Sequence, residues 1–544
     1  MYQTVACGLL SLLALLAVRN LRWASGAGLA IVGVLLLINQ NTYAGLVWVP
    51  IAASILFVLG LQLGYQSQHP DDNVRIHLPA VLVGVMLGAV INSFMGLLQY
   101  LGLAGQLWPW VPESLQRGVA FGIFRQTNLF ATLLCCGLAC TVFLAQHKKI
   151  TVSMAWLIVA ILHLGLAASG SRIGVVQAVA FALMGLLWHR QQPAIVTRLL
   201  VGQLAVLALA AWLLPFLAQL HGFEPRSLAN RLAYMPQDSR LAVWADSLQL
   251  IMAKPWTGWG WGEFAYGHYM LASPTRFNTD SILDNAHNMP LQLATELGLP
   301  VAIVACGLFA YGVWRAKPWL AGKQSNQVYW LIILSLTLHS MVEFPLWYAG
   351  FLFIFALALG VVLPPFSARV SSASRSSSWS IAGGIPWMAQ LLAFLLLGFC
   401  TVTWFQYHKV VTVYATPGKM VAQRASAIAA AQDAWLFKGQ VEYAEFAQLS
   451  ADNTEAAIMR EKAERLLHFS AEPKVVQGLL YALWRLDEQA ELIRHAHRYC
   501  VAFPLAYARW ASANAQLPFI KTVRQTESSC RLPSAALKIL NSNP

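Results

Sequence analysis

Between Asp284 and Gly298 the chain reads DNAHNMPLQLATELG, where a polar stretch, 218–289, returns to an apolar one. His287 and Asn288 stand at that junction. A histidine there, just ahead of a hydrophobic helix, can act at a membrane surface on something water-soluble. Asn288 is placed to cap a helix starting at Met289 or Pro290, since proline is well tolerated in a first turn. His287 then lies beside the positive end of the helix dipole, and a neutral imidazole is the form a general base requires. Asp284 precedes it by three residues and could orient the ring. D-x-x-H offers a metal two groups at most, and no His/Asp/Glu/Cys cluster has ligand spacing, so neither a metal nor a cofactor is expected. Gln292 and Glu296, four apart, share a helix face. An ionisable group at that depth needs a partner, and an arginine of the same side is the expected one.

Other polar side chains sit where apolar segments meet water. GIFRQTNLFATLL crowds Arg125, Gln126 and Asn128 at the mouth of one span, either to anchor the helix or to line a site for a polar ligand. ASGSRIG sets Arg172 at the start of another span with no acid nearby. Ser171 can cap that helix while Arg172 snorkels; alternatively the guanidinium meets an anion such as phosphate, which it matches bidentately. From Ser239 to Met252 the apolar positions recur at three- and four-residue spacings, which predicts an amphipathic helix at the interface, opened by Arg240. TGWGWGEF follows, where Gly258, Gly260 and Gly262 permit close backbone approach and the tryptophans suit a headgroup zone or a sugar face. It is a weak phosphate loop, with no strand before it and no Lys-Ser/Thr after it. HSMVEFPLWY brings His339, Glu343 and Tyr348. His339 and Glu343 could pair on a last helical turn, or the stretch is simply an interface belt of Phe344, Trp347 and Tyr348.

The elements that must position these residues are transmembrane helices. The 544 residues are 58% hydrophobic and 11% charged, with mean hydropathy +0.56, which excludes a soluble globular protein. Apolar runs predict twelve spans, near 3–18, 24–38, 45–64, 79–104, 127–146, 152–168, 173–188, 199–217, 290–314, 327–340, 348–365 and 385–405. The first has no basic residues before it and is taken as a span with its N-terminus outside. Alternation then puts twelve Lys and Arg in the cytoplasmic loops and only Arg117, Arg125 and Arg172 in the short external ones. The expected organisation is an N-terminal set of helices (1–217), a long external loop (218–289), a second set (290–405) and an external helical region (406–544). That last region reads as antiparallel hairpins, loosely like tetratricopeptide repeats, suited to binding or packing. The cytoplasmic stretch 367–380 is low-complexity. The net charge of +13 is spread along the chain, so nucleic acid is not indicated. Cys135, Cys136 and Cys140 read as small apolar fillers, whereas Cys500 and Cys530 could pair in an oxidising compartment.

Four motifs now stand in order: RQTN at 125–128, SGSR at 169–172, a long loop with Arg240 early and AHN at 286–288, and HSMVEFPLWY at 339–348. Together they resemble the O-antigen ligase and polymerase superfamily of bacterial membrane glycosyltransferases, and more narrowly its PglL-type O-oligosaccharyltransferases. The resemblance covers essentially the whole chain. Phe344 departs from it, where a tyrosine is expected, so any role of that hydroxyl falls elsewhere, Tyr348 being one candidate. The resemblance implies a multi-pass protein of the bacterial inner membrane whose site faces the periplasm. It implies transfer of a preassembled oligosaccharide from undecaprenyl diphosphate to Ser/Thr hydroxyls of periplasmic proteins such as pilin, inverting and metal-independent. His287 would be catalytic, with Arg172, Arg240, Gln126 and Arg125 on the donor, and Asn128, Asp284, Asn288, Glu296, Glu343 and Tyr348 in support. An O-antigen ligase or polymerase with a glycan acceptor is the neighbouring alternative, and a transporter or flippase is the alternative of another class.

Overall fold

In a computed structural model of the chain, the described residues are 44–68, 78–107, 109–114, 116–220, 222–224, 228, 239–272, 283–320, 326–363, 387–415, 421–449, 455–530 and 532–541. Among them every regular element is helical. The two spans expected before residue 44 and the stretch 367–380 lie outside the described residues.

The ten other expected spans correspond to helices. They are α1 (Ala44–Gln68), α2 (Leu78–Tyr100), α3 (Thr127–Gln146), α4 (Val152–Ser169), α5 (Arg172–Leu187) and α6 (Ala194–Leu220). Two helices of the polar stretch, α7 (Ser239–Ala253) and α8 (Phe264–Met270), precede α9 (Met289–Ala316), α10 (Gln327–Ser340), α11 (Ala349–Val362) and α12 (Met388–Ala415). Among the described residues seven helices are long and apolar enough to cross a bilayer: α1 to α4, α6, α9 and α12. The remaining three are shorter, α5 with 16 residues and α10 and α11 with 14 each. Fourteen residues reach about 21 Å, against a hydrocarbon core of about 30 Å. The chain is a polytopic helical membrane protein.

α3 is buried on nearly every face, with α2, α4, α5 and α10 packed around it. α11 packs parallel to α1 at backbone contact distance, and glycines make this possible. A Cβ on Gly64 would lie 2.1 Å from the Leu357 carbonyl oxygen, and one on Gly360 would lie 2.0 Å from that of Leu61. This register starts α11 about 15 Å below Ala44, the first described residue of α1. At one end of the bundle Gln146 meets Gln327 at 3.4 Å and the Trp188 indole donates to the Pro318 carbonyl at 2.9 Å. The basic residues that follow α3, α5 and α9 gather there, and the polar mouths of α3, α5, α9 and α10 lie at the other end.

The span expected at 290–314 is two helices. Gly298, at φ +84°, breaks α9, and the glycine-rich turn after α7 docks on the break. Trp259 N donates to Thr295 O at 2.9 Å, Gly260 N to Glu296 O at 2.9 Å and Leu299 N to Pro255 O at 2.8 Å. A Cβ on Gly258 would sit 2.3 Å from Glu296 O, and one on Gly298 would sit 2.3 Å from Trp256 O. α7 is amphipathic as expected. Val243, Leu250 and Ile251 are buried against Phe264, Ala286 and Ala294, and Leu241, Leu248 and Met252 form an exposed stripe ending at Trp256.

The region after α12 continues with α13 (Val421–Ala430), α14 (Lys438–Phe446), α15 (Ala456–Phe469), α16 (Pro473–Arg485), α17 (Gln489–Ala502) and α18 (Pro504–Ala513). α19 (Pro518–Arg524), α20 (Glu527–Cys530) and α21 (Ser534–Asn541) complete it. Its core is separate from that of the bundle. Cys500 and Cys530 are bridged, with their Cα atoms 5.9 Å apart. Helix α8 and the residue before it tie this region to the long loop. Tyr269 is buried in its core with its hydroxyl 3.0 Å from His495 Nδ1, and His468 Nδ1 lies 2.9 Å from Glu263 Oε2. The His468 ring stacks on Tyr266 with centroids 3.8 Å apart.

Candidate functional site

The turn between α10 and α11 carries Glu343, and three distant parts of the chain converge on its carboxylate. Arg240, at the start of α7, donates to Oε1 at 2.8 Å. His287 Nδ1 lies 2.9 Å from Oε2. Asn128, at the mouth of α3, donates to Oε1 at 3.4 Å. Burial pushes the Glu343 carboxyl up, but the hydrogen bonds from His287 and Arg240 and the Arg240 charge hold the group below the usual carboxylate range. An ionised carboxylate only accepts, so Nδ1 of His287 carries the hydrogen, and in the neutral ring Nε2 presents a lone pair. That is the tautomer of a general base, arranged as in other carboxylate–histidine pairs.

His287 holds φ +48°, a left-handed conformation uncommon for a residue with a side chain. Side chains of its own segment brace it. His287 N donates to Asn285 Oδ1 at 3.0 Å and Ala286 N to Gln292 Oε1 at 2.7 Å. Asn288 caps α9 as expected, accepting from Leu291 N at 3.1 Å, and its Nδ2 reaches the Met341 carbonyl at 3.0 Å. That second bond joins the histidine segment to the Glu343 turn.

Arg172 is half-buried at the first position of α5 and forms no ion pair among the described residues. Its neighbour Ser171 caps the helix on Gly174 N and also donates to Asn128 Oδ1 at 2.8 Å, which brings the start of α5 to the same cluster. Gln126 Oε1 is buried with no hydrogen-bond partner among the described residues. Arg125 is exposed at φ +55°. Tyr348 caps the far side of the turn, its ring stacked on Phe344 at 6.5 Å. Phe344 stands 5.8 Å from the His287 ring.

Several expectations are corrected. Asp284 does not orient the imidazole: it is exposed and accepts from Asn285 Nδ2 at 2.6 Å, while Glu343 takes that role. His339 and Glu343 do not pair through their side chains. His339 Nδ1 instead meets Thr132 Oγ1 at 2.8 Å, where Gln177 also donates to Thr132 at 2.9 Å. Glu296 does not meet an arginine. The glycine-rich turn grips it through backbone N–H groups, Gly262 N at 3.0 Å and Phe264 N. Thr132 and Gln177 escaped sequence reading, because nothing marks a lone Thr or Gln in an apolar helix until its partner is known. Gln292 carried a usable signal, four residues before Glu296 on the same face.

Three known sequence families match successive parts of the chain. They are described as Protein glycosylation ligase over 120–145, O-Antigen ligase over 155–306, and Virulence factor membrane-bound polymerase, C-terminal, over 327–518. The chain is 26% identical over 319 residues to the General O-oligosaccharyltransferase of Acinetobacter baylyi, covering 56% of this chain and 54% of the relative. It thus spans about half the length of the curated relative it matches. Asn128 falls in the first matched stretch, Arg172, Arg240 and His287 in the second, and Glu343 in the third. With the matches in this order, and each contributing to one polar cluster, the chain is similar, segment by segment, to O-antigen ligases and protein glycosylation ligases.

Proposed function

We propose that the chain transfers a preassembled oligosaccharide from undecaprenyl diphosphate to Ser or Thr hydroxyls of periplasmic proteins, pilin-like ones among them. The observation that carries this reading is the Glu343 carboxylate held between His287 and Arg240. The acceptor hydroxyl gives its proton to His287 Nε2 as its oxygen bonds to the anomeric carbon. The bond from that carbon to the diphosphate oxygen breaks, and its electron pair leaves with the diphosphate. Attack opposite the leaving group inverts the anomeric centre. Charge builds on the diphosphate, and fixed guanidinium groups stabilise it best in a site shielded from bulk water. Arg240 and Arg172 supply them, and Gln126 adds a polar contact to the donor. Glu343 fixes the plane of the Arg240 guanidinium, a group with five N–H donors.

The family matched over 120–145, described as Protein glycosylation ligase, supports a protein acceptor. The match over 155–306 is to O-Antigen ligase, which favours a glycan acceptor as the second reading. Mass spectrometry of periplasmic proteins from cells with the wild-type chain, without it, and with His287→Ala or Arg172→Ala tests both. A glycan-sized mass on a Ser- or Thr-containing peptide, lost in both variants while the protein still inserts, is the expected result. Sugar on lipopolysaccharide alone selects the second reading. Full transfer by His287→Ala rejects the base.

A further inference from the structure

The side chain that places His287 is not one of those that touch Glu343. His287 lies in the left-handed region, and the residue before it is completely buried, so the peptide linking Ala286 to His287 has little room to turn. Its direction decides where the imidazole points. Ala286 N is held by the amide oxygen of Gln292, six residues on and one turn inside α9, at 2.7 Å. Gln292 is itself 5% exposed. We infer that Gln292 is a positioning residue, which holds the backbone ahead of His287 so that the imidazole meets Glu343 and its other nitrogen faces the acceptor. The inference rests on the proposed role of His287 as base.

The anchor behind Gln292 gives this a reason. Gln292 faces Glu296 across one helical turn, and the Glu296 carboxylate is gripped by Gly262 N and Phe264 N. Glu263, between those two donors, meets His468 at 2.9 Å. Contacts therefore run from the C-terminal helices through the glycine-rich turn to Glu296, one helical turn from Gln292, whose Oε1 holds Ala286 N while its Nε2 has no hydrogen-bond partner among the described residues. The break at Gly298 serves the same end. It frees the first half of α9 from the axis of the second, so the turn and the histidine segment dock on it as one unit.

The test uses the purified full-length chain in nanodiscs with a lipid-linked oligosaccharide and a Ser-containing acceptor protein. Gln292→Met keeps the length and removes the acceptor; Gln292→Glu keeps an oxygen there. Gln292→Met should lower kcat roughly ten- to a hundredfold, the scale of a misplacement near 1 Å. KM for the donor should stay within about twofold, because no diphosphate-binding residue is disturbed. Hydrogen exchange should rise in the peptide covering 283–291 and be unchanged in the C-terminal helices. Gln292→Glu should recover much of kcat. Wild-type kcat and exchange in Gln292→Met, with His287→Ala inactive, overturns this inference alone. An active His287→Ala overturns the reading beneath it. Faster exchange across the whole chain in Gln292→Met also overturns it, by showing a general role in folding.

Discussion

Replacing Glu343 with Gln is the sharpest perturbation of the proposed site, because it preserves shape and removes only charge and one acceptor. The carboxylate takes hydrogen bonds from Arg240 at 2.8 Å and from His287 at 2.9 Å, with its side chain only 8% exposed. A Gln amide has one oxygen for these two donors. If the oxygen faces Arg240, the amide NH2 faces Nδ1, and the imidazole must move its hydrogen to Nε2, where it can no longer accept a proton. If the oxygen faces His287, NH2 groups oppose each other at Arg240 and the guanidinium is displaced. The first arrangement costs about 10⁴-fold in kcat in a comparable carboxylate–histidine pair. The second loses one charge-stabilising donor group, on the order of 10² to 10³-fold. Glu343→Gln should therefore lower kcat by about 10² to 10⁴-fold. One of two charged hydrogen bonds is lost, which costs roughly 2 kcal/mol of stability, small enough for the chain to remain folded. The assay is initial-rate transfer to an acceptor protein, read by mass spectrometry, with monodispersity and Tm as folding controls. A folded Glu343→Gln variant with kcat within threefold of wild type would refute the claim that this carboxylate sets the tautomer and anchors Arg240.

Two further predictions concern the supports of the site. Gly298→Ala puts a Cβ 2.3 Å from the Trp256 carbonyl at φ +84°. Strain of about 1–3 kcal/mol plus that clash should loosen the turn, so proteolysis or hydrogen exchange across 255–262 should quicken and transfer should fall; an unchanged turn would show that the break in α9 needs no glycine. Burial, with Arg498, Arg494 and Arg460 adding to it, pushes His495 down from 6.5 to about 4. The unfolded histidine binds its proton first as pH falls, so the stability that neutral His495 contributes is complete above about pH 6.5 and is lost progressively toward pH 4. That difference is worth about 3 kcal/mol at most. Thermal melting of the full chain should show this acid loss reduced in His495→Gln, and parallel pH curves would contradict it.

What the sequence showed and what it hid divide along sequence distance. The helices, the amphipathic α7 and the Asn288 cap all follow from patterns inside one element, where side-chain period and capping chemistry act over a few residues. The partners of Glu343 lie 56, 103 and 215 residues away. No periodicity links such positions, and topology alone brings them together. Local reasoning therefore paired Glu343 with His339 and gave the imidazole to Asp284. Glu296 failed for another reason, because a buried carboxylate was matched to a charge when a glycine-rich backbone offered N–H groups unobstructed by side chains. The break in α9 did leave a trace, Gly298 two residues before Pro300 inside an apolar run.

The depth at which α11 begins beside α1 has a consequence for reach. The turn before it, which carries Glu343, lies about 15 Å along α1 from Ala44, so on the proposed reading an acceptor surface held level with Ala44 stops short of His287. With the proposed protein acceptor, a residue borne on an extended segment is expected to react faster than the same residue held in a folded surface. Comparing one serine peptide as a free tail and grafted into a rigid loop of the same carrier measures that dependence; equal modification of both would show that the position of this turn along α1 sets no such limit.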